Sequence, residues 1–179
     1  MEKGKKEGLQ CSHDHNKKIN NKILIEYLFL DLETCDRCIG TERVLDEVIF
    51  TITPALQLAG YQVEYKKIEI ETDEMAFHYK FFSSPTIKVN GFDICSSVKE
   101  NNCDCCSEIS GTDVDCRVFI YNRKTYEVPP KEMLANKILS SVFKGNVDGY
   151  VGEYNLPENL KAFFRGKGSK GCSCGENCC

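Results

Sequence analysis

The sequence lacks any apolar run approaching the roughly 18–20 residues needed to cross a bilayer. It also lacks the apolar core of a secretory signal, because Met1 to Gly8 is rich in Lys and Glu. We therefore expect no membrane span and a cytoplasmic location.

The motifs of several enzyme classes are missing as well. The chain has no Ser–His–Asp order, no phosphate-cradling glycine loop and no dinucleotide-binding fingerprint. These absences exclude the corresponding hydrolases, kinases and nucleotide-dependent oxidoreductases. Residues 1–22 and 161–179 each carry +3, so the net charge of −4 leaves −10 on residues 23–160. An acidic body with short basic ends argues against nucleic acid as a partner.

Cysteine, in contrast, is abundant. In a reducing compartment, dense cysteine indicates metal binding or redox catalysis rather than a framework of structural disulfides. The positions are also clustered, which favours thiol chemistry over scattered core residues. The twelve cysteines are Cys11, Cys35, Cys38, Cys95, Cys103, Cys105, Cys106, Cys116, Cys172, Cys174, Cys178 and Cys179.

Apolar periodicity predicts alternating strands and helices in the first half of the chain. A continuous apolar run indicates a buried strand, and helical spacing from Leu45 to Ala59 indicates the helix that follows. Asn90-Gly91 is a strong signal for a tight hairpin. A helix that joins two parallel strands implies an α/β sheet. The predicted elements are strands 23–30 and 61–70, helices 37–59 and 72–82, and hairpin strands 86–89 and 92–95.

Residues 96–115 interrupt this pattern and are predicted to form an inserted loop; we call residues 95–116 the cysteine-rich segment. Beyond it, the pattern predicts strands 117–121 and 125–128, a helix at 130–143 and a short helical segment at 157–164. The expected organisation is a disordered arm (1–20), a main domain (21–145) with the inserted loop (95–116), a short extension (146–165) and a flexible, Cys-bearing tail (166–179).

Cys35 and Cys38 stand directly after the first strand, where the first helix begins. Unpaired N–H groups and a partial positive charge at a helix N-terminus stabilise a thiolate. We expect Cys35 to be the exposed nucleophile and Cys38, one turn later, the resolving thiol. Arg37 should favour the Cys35 thiolate and Asp36 should oppose it.

Three features of this half resemble the thioredoxin superfamily: the strand residues 23–27, the Cys35–Cys38 motif and Ser84-Pro85-Thr86 before a hairpin. The resemblance implies a thioredoxin-like three-layer sandwich, with Pro85 as a cis-proline that shapes the substrate site beside the cysteine pair. Thr34 stands where thioredoxins have an aromatic residue, and Asp-Arg replaces the Gly-Pro between their cysteines.

A narrower resemblance extends over most of residues 23–143. The motifs at residues 34–38, 114–117 and 128–130 are similar to those of an uncharacterised thioredoxin-like group, a "domain of unknown function" family. Membership implies a fold and no established activity, so function must be argued from the site.

The other cysteines are candidate metal ligands. Cys103, Cys105, Cys106 and Cys116 lie in the cysteine-rich segment, but their spacing does not match the paired knuckles of a zinc ribbon. Adjacent cysteines such as Cys105-Cys106 seldom both bind one tetrahedral ion. Structural zinc, a cluster around a soft ion, a second dithiol pair that exchanges with Cys35–Cys38, and incidental cysteines are the alternatives.

Further cysteines lie in the C-terminal tail, where we expect the thiols to be mobile and exposed. A tethered dithiol could reach the Cys35 site and pass on electrons or a soft ion. The four tail cysteines are Cys172, Cys174, Cys178 and Cys179. In the opposite arm, Cys11, His13 and His15 could bind a metal weakly, although a plain polar arm is the simpler interpretation.

The first functional hypothesis is a thiol–disulfide oxidoreductase in which Cys35 attacks, Cys38 resolves and Pro85 shapes the site. Its partner would be a disulfide-bearing protein or a small thiol. The second is a protein that binds or delivers a soft metal or metalloid such as Hg, As, Cu or Zn, with zinc or another soft ion as the cofactor. The third is a non-catalytic thioredoxin-like binding module with structural zinc.

Overall fold

A computed structural model describes residues 21–95, 97–144 and 152–170 of the chain. The predicted arm, with Cys11, and the tail cysteines Cys172, Cys174, Cys178 and Cys179 lie outside these residues. In the described parts of the chain, none of the helices combines the length and the apolar character needed to span a membrane.

The architecture is mixed α/β, as the periodicity predicted, with two sheets and five helices in the described residues. In chain order the elements are β1 (Lys22–Phe29), α1 (Asp36–Leu58), β2 (Gln62–Glu69), α2 (Asp73–His78), β3 (Thr86–Val89), β4 (Phe92–Asp93), β5 (Lys99–Asn102), α3 (Asp104–Ser110), β6 (Asp115–Tyr121), β7 (Lys124–Tyr126), α4 (Lys131–Lys144) and α5 (Glu158–Lys170).

The first sheet has the strand order β2-β1-β3-β4. β1 runs parallel to β2 and antiparallel to β3, and β3 pairs with β4 as an antiparallel hairpin. β1 is central, so Ile25, Tyr27 and Leu28 are completely buried. A central strand buried on both faces reads as the near-continuous apolar run seen in the sequence.

α1 connects the two parallel strands of this sheet. Leu45, Val48, Ile49, Ile52 and Leu56 form its buried face, which confirms the helical spacing of the apolar residues. Pro54 lies inside the helix, which ends at Leu58, and Gly60 follows with φ of +86°. That left-handed conformation suits glycine and turns the chain into β2.

The hairpin predicted at Asn90-Gly91 is confirmed. Both residues have positive φ, +53° and +83°, which is the requirement of a type I′ turn. The Ser84–Pro85 peptide bond, just before β3, is cis. α2 begins at its Thr72 N-cap but ends at His78, four residues before the predicted end at Phe82.

The prediction of an irregular loop over residues 96–115 is wrong, because β5 and α3 form within it. β5 pairs with β6, and β6 pairs with β7, in a second antiparallel sheet. α3 ends at Gly111, whose φ of +73° gives a left-handed C-cap. The segment carries no apolar periodicity because its buried side chains are mainly cysteines rather than aliphatic residues.

The last two helices pack on different partners. α4 packs on α1, whereas α5 packs on α3 and α2. α5 continues to Lys170, so the helix extends past Gly166, where the sequence predicted the tail to begin. A single apolar core includes residues of both sheets and four buried cysteines of the cysteine-rich segment and its edges: Cys95, Cys103, Cys106 and Cys116.

Candidate thiolate metal centre

Cys35 is the N-cap residue of α1, at the end of a turn that follows β1. The Asp31 carboxylate organises this turn, because its Oδ2 accepts hydrogen bonds from Thr34 N (2.7 Å), Thr34 Oγ1 (3.0 Å) and Cys35 N (2.9 Å). Burial raises the pKa of Asp31, but these hydrogen bonds outweigh it and hold the pKa below its ordinary value. The Cys35 backbone is therefore positioned by a charge-assisted turn.

Cys38 lies in the first turn of α1, above the central strand. The Tyr27 hydroxyl donates a 2.7 Å hydrogen bond to the Cys38 carbonyl, and Cys38 Sγ is 3.4 Å from Ser84 Oγ. Burial, together with the nearby Cys38 and Cys35 thiols, raises the pKa of Tyr27 well above its ordinary value. Pro85 follows Ser84, so Cys38 lies against the segment that contains the cis-proline.

Cys35 lies close to two cysteines of the cysteine-rich segment, and a third lies close to one of these two. Cys35 Sγ is 3.9 Å from Cys103 Sγ and 3.8 Å from Cys106 Sγ. Cys103, Cys106 and Cys35 have their three sulfur atoms within 4.8 Å of one another. Cys116 Sγ adds a fourth thiol, 3.4 Å from Cys106 Sγ. We call these four residues the thiol centre.

The expectation that Cys35 is exposed is wrong. Its side chain is 0% accessible, and Cys103 is only 4% accessible. Cys106 and Cys116 are also fully buried. The reason is that the predicted loop folds into α3 and β6, which carry these cysteines onto the N-terminus of α1.

Each thiol of the centre has another thiol as a neighbour. Cys116 Sγ donates to Cys106 Sγ at 3.4 Å, Cys106 Sγ donates to Cys35 Sγ at 3.8 Å, and either of Cys35 and Cys103 can donate across their 3.9 Å contact. The neighbouring Cys106, Cys116 and Cys35 thiols lower the pKa of Cys103. Cys103 in turn raises the pKa of Cys106, Cys35 and Cys116 above the ordinary value.

The Arg37 guanidinium binds backbone carbonyls and a carboxylate, and its influence on the Cys35 thiolate stays a prediction. Nη1 donates to the Cys116 carbonyl at 2.8 Å, and Nη2 donates to the Asn102 carbonyl at 3.3 Å. Nη2 also pairs with Glu127 Oε1 at 2.8 Å. The buried Arg37 side chain thus fastens β5 and β6 to α1.

Arg117, next to Cys116, makes a second connection. Its side chain is buried and pairs with both Asp93 carboxylate oxygens, at 3.1 and 2.7 Å, and Nη1 donates to the Cys95 carbonyl at 2.8 Å. Its backbone N–H donates to the Ser84 carbonyl at 2.7 Å. β6 is therefore held at the residue that precedes Pro85.

The two remaining described cysteines lie outside the thiol centre. Cys95 is buried, and burial, with Asp93 nearby, raises its pKa to about 11. Cys105 is half-buried in the first turn of α3, and only its neighbour Cys106 belongs to the group of three sulfurs.

Sequence reasoning missed that Cys35 shares a site with the cysteine-rich segment, and it missed the roles of Tyr27, Arg117 and Asp93. One signal was present: an arginine stands two residues after Cys35 and one residue after Cys116. A buried arginine side chain needs several hydrogen-bond acceptors. Arg37 and Arg117 lie close in sequence to cysteines of the thiol centre, and both find backbone carbonyls as acceptors.

The arrangement has the chemistry of a soft-metal site. All seven cysteines in the described ranges are free thiols, so no disulfide competes for the sulfurs there. Three buried sulfurs within ligand distance could hold a metal ion, and thiolates select soft or borderline ions.

Neither a curated protein nor a solved structure matches the chain. Residues 23–138 match the family described as "Domain of unknown function (DUF2703)". The match covers more than half of the chain and includes every member of the thiol centre. The chain therefore belongs to this family of domains of unknown function.

Proposed function

We propose that this protein binds one soft or borderline metal ion, with zinc as the first candidate, through the thiolates of Cys35, Cys103, Cys106 and Cys116. The separations of three of these sulfur atoms, those of Cys35, Cys103 and Cys106, carry this proposal, and Cys116 is the candidate fourth ligand because its sulfur lies 3.4 Å from that of Cys106. A tetrahedral site with metal–sulfur bonds of 2.3 Å has sulfur atoms about 3.8 Å apart. The Cys35–Cys106 and Cys35–Cys103 distances of 3.8 and 3.9 Å fit this edge.

The surroundings of the thiol centre support a closed site. Four thiolates complete a tetrahedral shell, which is the usual arrangement of structural zinc. The neighbouring thiols lower the pKa of Cys103, which favours its ionisation, and every ligand thiol loses its proton as the ion binds. Because the ligands come from α1, α3 and β6, binding would stabilise the packing of the cysteine-rich segment on the first sheet.

The framework that we propose is thioredoxin-like, a three-layer sandwich over residues 21–145. Three observations support it: the strand order β2-β1-β3-β4, the cysteine motif at the N-terminus of α1, and Pro85 at the start of β3. The cytoplasmic location stays a prediction from the sequence. The arm, the tail and the tail thiols as metal ligands stay predictions.

Thiol–disulfide exchange is the second candidate, favoured by the position of Cys35 and Cys38 at the N-cap and in the first turn of α1. The Cys35 thiolate would attack a partner disulfide and release one partner thiolate. The Cys38 thiolate would then attack the mixed disulfide and release the other. Two electrons pass to the partner, and Cys35–Cys38 becomes the disulfide. Because Cys35 is fully buried, the cysteine-rich segment must first move away.

Metal titration of the reduced full-length chain, followed by native mass spectrometry, tests the first proposal. The four tail cysteines are changed to Ser in every sample, so that they cannot form a second site. We expect one Zn(II) per chain, with affinity reduced roughly 100-fold or more in Cys106→Ser, because a ligand is lost.

Cys95→Ser is the matched control, since Cys95 is also buried but lies outside the thiol centre, and its affinity should equal that of the parent chain. A parent chain that binds no Zn(II), Cu(I) or Hg(II) but reduces a model disulfide through Cys35 would contradict the proposal and favour the second candidate.

A further inference from the structure

Burial of the thiol centre raises the question of how an ion reaches it. The four proposed ligands are at most 4% accessible, so a metal ion held by another thiol compound cannot touch them directly. In a reducing compartment, soft ions are held by thiols rather than by water. An ion that enters by ligand exchange needs a sulfur that is exposed to solvent and also close to the buried sulfurs.

Cys105 is the described cysteine that meets both conditions. It is half-buried, whereas the other six described cysteines are buried. It immediately precedes Cys106, in the first turn of α3. Its thiol interacts electrostatically with Cys35, Cys103 and Asp36, the first residue of α1. Cys105 is therefore near the helix end that carries Cys35.

The charge around Cys105 is suited to a cation. Asp36 and Asp104 are exposed acidic residues on either side of it, at the first positions of α1 and α3. Neither carboxylate belongs to the group of sulfurs that could hold an ion. They favour the positively charged ion itself at the half-buried sulfur and do not compete as soft ligands, whereas a complex of the ion with two thiolates has no net positive charge for them to attract.

We propose that Cys105 is the receiving thiol of the centre: it takes a soft metal ion from a dithiol complex and passes it to Cys35 and Cys106. This inference rests on the proposed function of the thiol centre. The shared chemistry of the donor is an ion bound by two thiolates, which a small dithiol or the tail pair Cys172 and Cys174 could supply.

The exchange balances without an oxidant or reductant. The Cys105 thiolate forms a metal–sulfur bond as one donor bond breaks, and a donor thiolate leaves. Thiolates of Cys35, Cys103 and Cys106 then form bonds in turn, while the second donor bond breaks. Cys116 finally replaces Cys105, which returns to the solvent-facing position. The ion keeps its oxidation state. Two protons of the buried thiols pass to the two released donor thiolates, and the remaining protons pass to the solvent.

The experiment compares the rate and the equilibrium of Zn(II) transfer in the full-length chain. Zn(II) is presented either as the aqua ion in a weakly binding buffer or as its dithiothreitol complex, and loading is followed by native mass spectrometry at timed points. Cys105→Ser should slow loading from the dithiothreitol complex about tenfold, because exchange depends on an accessible attacking thiolate. Its rate of loading from the aqua ion and its affinity should be unchanged.

Cys95→Ser is the control for loss of a cysteine, and a chain with the four tail cysteines changed to Ser separates the two donors. If loading from dithiothreitol stays fast without the tail, a small dithiol suffices; if it slows as much as in Cys105→Ser, the tail pair is the donor that Cys105 serves. An unchanged rate in Cys105→Ser overturns the inference. So does an affinity as low as that of Cys106→Ser, which would make Cys105 a ligand. A parent chain that takes up Zn(II) from neither source contradicts the proposed function itself.

Discussion

The thiol centre is supplied by two parts of the molecule, which can be compared by the contacts that position their cysteines. The motif half (residues 21–94) positions its cysteines by internal contacts: Asp31 holds the turn before Cys35, and Tyr27 holds the carbonyl of Cys38. The cysteine-rich segment has internal hydrogen bonds as well, such as Cys103 N–H to the Val114 carbonyl at 2.8 Å, and long-range contacts join it to the motif half. The comparison shows that both parts hold their own cysteines locally, and that the contacts between them bring these cysteines into one centre.

Two buried arginines make the connection in opposite directions. Arg37 reaches from α1 to carbonyls in β5 and β6, and Arg117 reaches from β6 back to Asp93 in β4. Each arginine is within two residues of a cysteine of the thiol centre. The hydrogen bonds that fix the backbone at the arginine therefore also fix the position of the neighbouring cysteine. Substitutions at these contacts should separate the two parts without touching a thiol.

The largest effect is expected from Asp93→Ala. This change leaves Arg117, which is fully buried, without its carboxylate partner, and breaking a buried pair by removing one member costs about 3–4 kcal/mol. Urea unfolding of the metal-free chain measures the loss. Asp113→Ala, at an exposed acidic residue of the cysteine-rich segment, is the control and should change stability by less than about 0.5 kcal/mol. Equal losses in both variants would show that the pair does not join the two parts.

Arg37→Met is expected to cost about 2–3 kcal/mol, because buried carbonyls in β5 and β6 lose their charged donor. Hydrogen exchange should show the loss of protection concentrated in α3 and β6, with β1 protected as before. Arg43→Met, at an exposed arginine of the same helix, is the control and should leave the exchange pattern unchanged. Uniform loss over both parts would contradict the difference between them.

A smaller effect is expected where α5 covers α3. A Cβ added at Gly166 would lie 2.1 Å from the Ser110 carbonyl oxygen, so Gly166→Ala should cost about 1–3 kcal/mol as α5 moves away from α3. Gly168→Ala is the matched control on the same helix, because nothing lies within 4 Å of an added Cβ. It should stabilise the chain by about 0.5–1 kcal/mol. Thermal unfolding of both variants gives the comparison, and equal shifts would contradict the close packing of α5 on α3.

The contrast between the two parts also explains how far the sequence could be interpreted. β1, α1 and the Asn90-Gly91 hairpin were predictable because apolar periodicity and turn chemistry are local signals. β5 and α3 were not, because the short stretch of residues 99–110 has no apolar period of its own. Its order comes from burial of Cys103 and Cys106 against α1 and from the hydrogen bonds that Arg37 makes.

The sequence by itself determined the α/β class, the position of the Cys35–Cys38 motif at a helix start and the abundance of thiols. These features depend on neighbours in the chain. Only the tertiary structure decided which thiols meet and that Cys35 is buried. Cys35 meets Cys103 and Cys106 across 68 and 71 residues, and no local pattern encodes a contact over that distance. The abundance of cysteine, twelve residues in all, thus predicted thiol chemistry. Packing between the two parts determines which four of them form the thiol centre.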